Sequence, residues 1–142
     1  RSLETGLSGL YEIEVPGDGS AQAFHAALAT PKPDRVLVAA QAMRAGVPLA
    51  DIHEACKFDP WFLREIERIV AAEAEVRAGG LPTTATALRR LKALGFSDRR
   101  LADLAGVKET AVAALRERLG VRPVFKRIDT CAAEFASQTP YM

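Results

Sequence analysis

An all-α fold is predicted: two similar small helical units packed together, followed by an extended C-terminal linker segment. Three observations carry that prediction. Strand-type alternation is almost absent, because Tyr11-Glu12-Ile13-Glu14-Val15 alternates only briefly before Pro16-Gly17-Asp18-Gly19 stops it. Apolar residues recur at helical spacing between Gly and Pro breaks from Ser20 to Gly120. The sequence also matches itself, without gaps, at a shift of 49 residues.

Taken in order, residues 1–6 read as the end of a helix stopped by Gly6, and 7–19 as a loop. Ser20 is a good N-cap for a helix over 20–29, with Ala21, Phe24 and Leu28 on one stripe. Pro31 and Pro33 end it, and Asp34 is a candidate cap for a helix over 35–45, stopped at Gly46. Pro48 suits the first turn of a short helix over 49–57. Asp59-Pro60 is an N-cap followed by a first-turn proline and opens the longest helix, 60–78. Its stripe is Phe62, Ile66, Ile69, Val70 and Val76, and Gly79-Gly80 with Pro82 break it. Shorter helices are expected over 84–94, 98–105 and 108–119, stopped at Gly95, Gly106 and Gly120, with Thr83 and Ser97 as caps for the first two. Beyond Val121 the chain reads as extended, with one helical turn near Thr130–Phe135.

The internal repeat sets Met43-Arg44-Ala45-Gly46-Val47 on Lys92-Ala93-Leu94-Gly95-Phe96. Ile52 then meets Leu101, Ala55 meets Leu104, Phe58 meets Val107, Leu63 meets Val112 and Ile66 meets Leu115. Apolar positions coincide as they would if each unit buried the same three-helix seam. The expected units are about 35–78 and 84–120.

Composition bounds the function. Of 142 residues, 49% are hydrophobic and 26% charged, the balance of a globular domain rather than a disordered segment. Net charge is +1, so no overall field draws the chain toward nucleic acid or an anionic membrane, although a local basic face can hide in a balanced total. Cys56 and Cys131 form no disulfide framework and are expected as free, buried thiols of a reducing compartment. No apolar run approaches the roughly 18 to 20 residues that span a bilayer, and no signal peptide opens the chain, so the cytoplasm is expected. Arg1 opens without an initiator Met and the end at Tyr141-Met142 has no polar tail, as expected of a domain excised from a longer chain.

No residue set is equipped for catalysis. His53 and Cys56 share a helix face, but two ligands do not complete a tetrahedral metal site, and the expectation is an exposed histidine beside a buried thiol. Neither cysteine has an evident activating base. No phosphate-binding glycine loop is present. Glu65 with Glu67, and Glu73 with Glu75, lie two apart and are assigned to a solvated face. Trp61 and Phe62 are expected as core anchors, one of which can mark an interface.

A different class of function is raised by 98–119, where Leu101-Ala102-Asp103-Leu104-Ala105-Gly106-Val107 and the helix after it imitate a DNA-binding helix-turn-helix. Glu109 and Glu117 on the would-be reading helix oppose phosphate contact, and the structural reading is favoured over the DNA reader. A stand-alone helical adaptor is a third possibility.

The C-terminal run from Val124-Phe125-Lys126-Arg127 through Thr130-Cys131-Ala132-Ala133-Glu134-Phe135 to Thr139-Pro140-Tyr141-Met142 resembles the linker of carbamoyl-phosphate synthetase large chains. Arg1-Ser2-Leu3-Glu4-Thr5-Gly6, Arg44-Ala45-Gly46, Trp61-Phe62-Leu63, Ile66-Glu67 and Leu101–Val107 extend the likeness, in order, over nearly the whole chain. The resemblance implies the family's oligomerisation domain, which joins two ATP-dependent synthetase halves and holds no catalytic residue. It implies a parent ligase making carbamoyl phosphate from bicarbonate, ATP and glutamine-derived ammonia, for arginine and pyrimidine synthesis. ATP, magnesium or manganese and a glutaminase small subunit serve that parent; no cofactor or metal is expected in this chain. On this reading 1–19 ends a preceding domain, 20–120 is the oligomerisation domain and 121–142 leads into the next. The expected partners are the rest of the large chain and other copies of it, with neither nucleic acid nor membrane.

The interface candidates are Ala21, Phe24 and Leu28. Their helix lies outside both repeat units, so the stripe serves either an intermolecular contact or a cover for the first unit's core.

Overall fold

The computed structural model describes residues 9–15 and 17–124. The expected helix end at 1–6, Pro16, the helical turn near 130–135, Cys131 and nearly all of the C-terminal segment lie outside the described residues. Within them the fold is all-helical, with α1 Ala21–Ala29, α2 Arg35–Arg44, α3 Leu49–Cys56, α4 Pro60–Gly79, α5 Ala85–Ala93, α6 Asp98–Ala105 and α7 Glu109–Arg118. No described helix is long and apolar enough to cross a membrane. The chain divides into two compact units, Arg1–Ala78 and Gly79–Met142.

Capping chemistry sets most of the starts. Ser20, Thr84 and Ser97 each accept a backbone N–H from the first turn of the helix that follows. The cap of α5 is thus Thr84 and not its neighbour Thr83. Asp34 makes no side-chain cap hydrogen bond, and Pro48 stands at the N-cap of α3 rather than inside its first turn. Asp59 accepts the Trp61 N–H at 2.7 Å, closing the start of α4 beside its first-turn proline.

In the first unit Phe24 and Leu28 of α1 close over Val38, Ala39 and Ala42 of α2, Ile52 and Cys56 of α3, and Leu63 of α4. Ile13 and Val15 pack against this core from the N-terminal loop. The buried phase of α4 runs through Leu63, Ile66, Ala72, Glu73 and Val76. Phe62, placed in that stripe by the sequence reading, lies outside it: Leu63 takes the inward position one residue on. In the second unit Leu88, Leu91, Phe96, Leu101, Leu104, Val112, Leu115 and Val121 are buried.

The 49-residue offset carries backbone geometry with it. After α2, Gly46 adopts φ +82° and Val47 N–H donates to the Ala42 carbonyl at 3.0 Å. After α5, Gly95 adopts φ +92° and Phe96 N–H donates to the Leu91 carbonyl at 3.2 Å. Both are helix ends closed by a left-handed residue. The next pair at that offset is Lys57, φ 57°, and Gly106, φ 66°, ending α3 and α6. Lys57 is the one non-glycine residue at positive φ among the described residues, and its side chain is exposed. Lys57→Gly is therefore expected to stabilise the chain by about 0.5–1 kcal/mol in urea unfolding, relief of the left-handed strain exceeding the entropy cost of glycine. A lowered midpoint would contradict this.

Candidate functional site

The stripe on α1 is split by the fold. Ser20 Oγ accepts the Ala23 N–H at 3.2 Å and Asp18 accepts the Ser20 N–H at 2.9 Å, fixing where the helix begins and which face turns inward. Phe24 is 4% exposed and Leu28 fully buried, so two of the three interface candidates belong to the first unit's core. Of the two roles the sequence leaves open for the stripe, cover of the first unit's core is the one Phe24 and Leu28 fill. Ala21 alone stays exposed. It borders a shallow depression of about 230 Å³, flanked by Gln22 and His25 on the same helix, Val47 before α3, and Asp51 and Glu54 on α3.

The first unit also holds a polar clasp. Arg44 Nε and Nη2 donate to Glu73 Oε2 at 2.9 and 2.8 Å. Nη1 donates to Gln41 Oε1 at 3.2 Å, and Nη2 also donates to the Leu10 carbonyl. The two charged side chains are 8% and 3% exposed. Glu12, from the N-terminal loop, pairs with Arg77 and lies 4.0 Å from Arg44 Nε. Glu73 therefore does not belong to a solvated face, as the sequence reading had it. A signal for this existed: Glu73 follows Leu63, Ile66 and Val70 at helical spacing, a carboxylate on the inward stripe.

The remaining candidates resolve into structural roles. His53 is half-buried rather than exposed, and its Nδ1–H donates to the Phe58 carbonyl at 2.7 Å. Cys56 is buried and its Sγ accepts the Phe58 N–H at 3.5 Å, so both side chains close the end of α3. Among the described residues no three His, Cys, Asp or Glu side chains are grouped to hold a metal ion. Trp61 and Phe62 are 63% and 42% exposed, which overturns their assignment as core anchors. Both sit in the first turn of α4, where Leu63 takes the inward position. Phe62 meets Phe58 edge-on at 6.0 Å, and the Arg35 guanidinium stands 4.7 Å over the Phe58 ring.

The helix-turn-helix lookalike is α6 and α7. Asp98 at the start of α6 binds Lys92 Nζ and, at 3.2 Å, Arg116 Nε from α7. Burial pushes the Asp98 carboxyl up, but the hydrogen bonds and charges of Lys92 and Arg116 outweigh it and hold the group below the usual carboxylate range. Arg116 also reaches the Val121 carbonyl at 3.5 Å, so a basic residue of the would-be reading helix is committed within its own unit. Glu109 and Glu117 on the same helix are exposed, where they repel phosphate.

The family model for the carbamoyl-phosphate synthetase large chain, oligomerisation domain, matches residues 1–120. The chain belongs to this oligomerisation-domain family. It is 59% identical over 147 residues to the carbamoyl phosphate synthase large chain of Rhizobium meliloti (strain 1021). It is 54% identical over 152 residues to that of Mesorhizobium japonicum, and 48% identical over 143 residues to that of Neisseria meningitidis serogroup A. Each match takes in all of this chain and 13% of the relative, so the oligomerisation domain is a small part of the large chains it matches. The family assignment gives α6 and α7 to an oligomerisation domain, and nothing in the comparisons favours the DNA reader.

Proposed function

We propose that this chain is the module through which a carbamoyl-phosphate synthase large chain associates with further copies of itself, and that α1 presents part of the contact through Ala21. The family match over residues 1–120 carries the reading. The division of α1 supports this location: Phe24 and Leu28 anchor the helix in the core and leave a small alanine exposed at the border of a shallow depression. The two units, near 35–78 and 84–120, are read as copies of one helical design, and 121–142 as the linker to a second synthetase half.

The parent is read as a cytoplasmic ligase making carbamoyl phosphate from bicarbonate, ATP and glutamine-derived ammonia for arginine and pyrimidine synthesis, with a glutaminase small subunit supplying the ammonia. ATP and the magnesium or manganese ion belong to other parts of that parent. No residue of this chain is assigned to either.

Ala21→Arg in the full-length large chain tests the reading. Sedimentation velocity is expected to show the associated species giving way to a smaller one. The thermal midpoint should stay within about 2 °C, since the substituted residue is exposed. Unchanged association would overturn the assignment of α1.

A further inference from the structure

The near-neutral total conceals two opposite charges. Residues 1–78 carry eight Lys and Arg against twelve Asp and Glu, a net of −4, whereas residues 79–142 carry eleven against six, a net of +5. The segregation persists at the surface. Among the described residues the first unit exposes eight carboxylates and five cations, and the second exposes six cations and three carboxylates. Asp51 and Glu54 stand in the acidic set, on the border of the depression beside Ala21. Arg89, Arg99 and Arg118 are exposed members of the basic set.

We propose that the basic second unit of one copy receives the acidic first unit of another, with opposite charge selecting this pairing over first unit on first unit. The proposal rests on the self-association reading above and names the mate of the α1 surface. Pairing two first units would set Asp51 and Glu54 of each copy against an equally acidic surface, and like charges across a contact oppose association. A two-fold axis that lays each first unit on the other copy's second unit makes the favourable contact twice and closes the assembly, so it does not propagate into filaments. Because the charges are exposed, they act through association rate and partner choice and are screened by salt.

Two charge-reversed forms of the full-length large chain test the pairing. One carries Asp51→Lys and Glu54→Lys, the other Arg89→Glu and Arg99→Glu; all four residues are exposed, so both forms are expected to fold. Wild-type association should weaken at least about tenfold between low and high salt. Each reversed form alone should associate at least about tenfold more weakly than wild type. An equimolar mixture of the two should recover wild-type association, because each acidic surface again meets a basic one. Normal association of the Arg89→Glu/Arg99→Glu form, or a mixture no stronger than its parts, overturns the pairing while leaving self-association intact. Normal association accompanied by a lowered thermal midpoint also overturns it, and assigns the basic surface to a neighbouring region of the same chain. A wild type that remains a single copy at every salt concentration overturns the self-association reading itself.

Discussion

Replacing Arg44 with Ala should destabilise the first unit by about 3–5 kcal/mol, because it leaves the Glu73 carboxylate buried without its countercharge. Glu73→Ala should cost less, because the guanidinium keeps Gln41, the Leu10 carbonyl and the nearby Glu12 carboxylate. The size of the effect comes from burial. A pair with side chains 8% and 3% exposed has surrendered most of its hydration, and the mutual attraction replaces it only while both partners are present. The Arg68–Glu65 pair, 64% and 36% exposed, should contribute well under about 1 kcal/mol by the same reasoning. Removing both buried charges with an apolar pair of similar volume, Arg44→Met with Glu73→Leu, should recover most of the loss. Urea unfolding followed by circular dichroism measures all of these. A loss below about 1 kcal/mol for Arg44→Ala would show that water reaches the pair.

The second large effect belongs to Phe24. Phe24→Ala should cost about 3–5 kcal/mol, since the ring is 4% exposed among Leu28, Val38, Ala39, Ala42, Ile52, Cys56 and Leu63, and its removal leaves a cavity the neighbours fill only in part. Ala21, three residues earlier on the same helix, should tolerate a large polar side chain within about 1 kcal/mol. That contrast is the physical content of α1: one helix, with an inner face that holds the unit together and an outer edge that is exposed. Near-equal costs at the two positions would contradict it.

Much of the architecture could be read from the residues because the breaks are chemically explicit. Gly46, Gly95, Gly106 and Gly120 each take the positive φ that ends a helix, and Pro31, Pro33 and Pro60 bound others, so the seven helices among the described residues fell within a residue or two of their expected limits. What periodicity could not supply was phase and distance. At the start of α4, Phe62 and Leu63 are adjacent apolar residues, and sequence alone does not say which points inward. Arg44 and Glu73 are 29 residues apart, a pairing that only the packing of α2 against α4 can create. Ala21, Phe24 and Leu28 share a stripe by spacing, yet the core ends between the first and second of them. The surface proposed for association was legible only in part for that reason, and the charge separation between the units was invisible in a total that cancels to +1.

One sedimentation experiment bears most directly on the central claim, that α1 holds the unit with Phe24 and Leu28 and meets a neighbouring copy through Ala21. Full-length large chain as wild type, as Ala21→Arg and as Phe24→Ala is run over a range of concentrations below its thermal midpoint. The account predicts that Ala21→Arg loses association and keeps its stability, whereas Phe24→Ala loses stability, and its folded fraction associates as wild type does. Association that survives Ala21→Arg, or that fails only where the protein has unfolded, would contradict it.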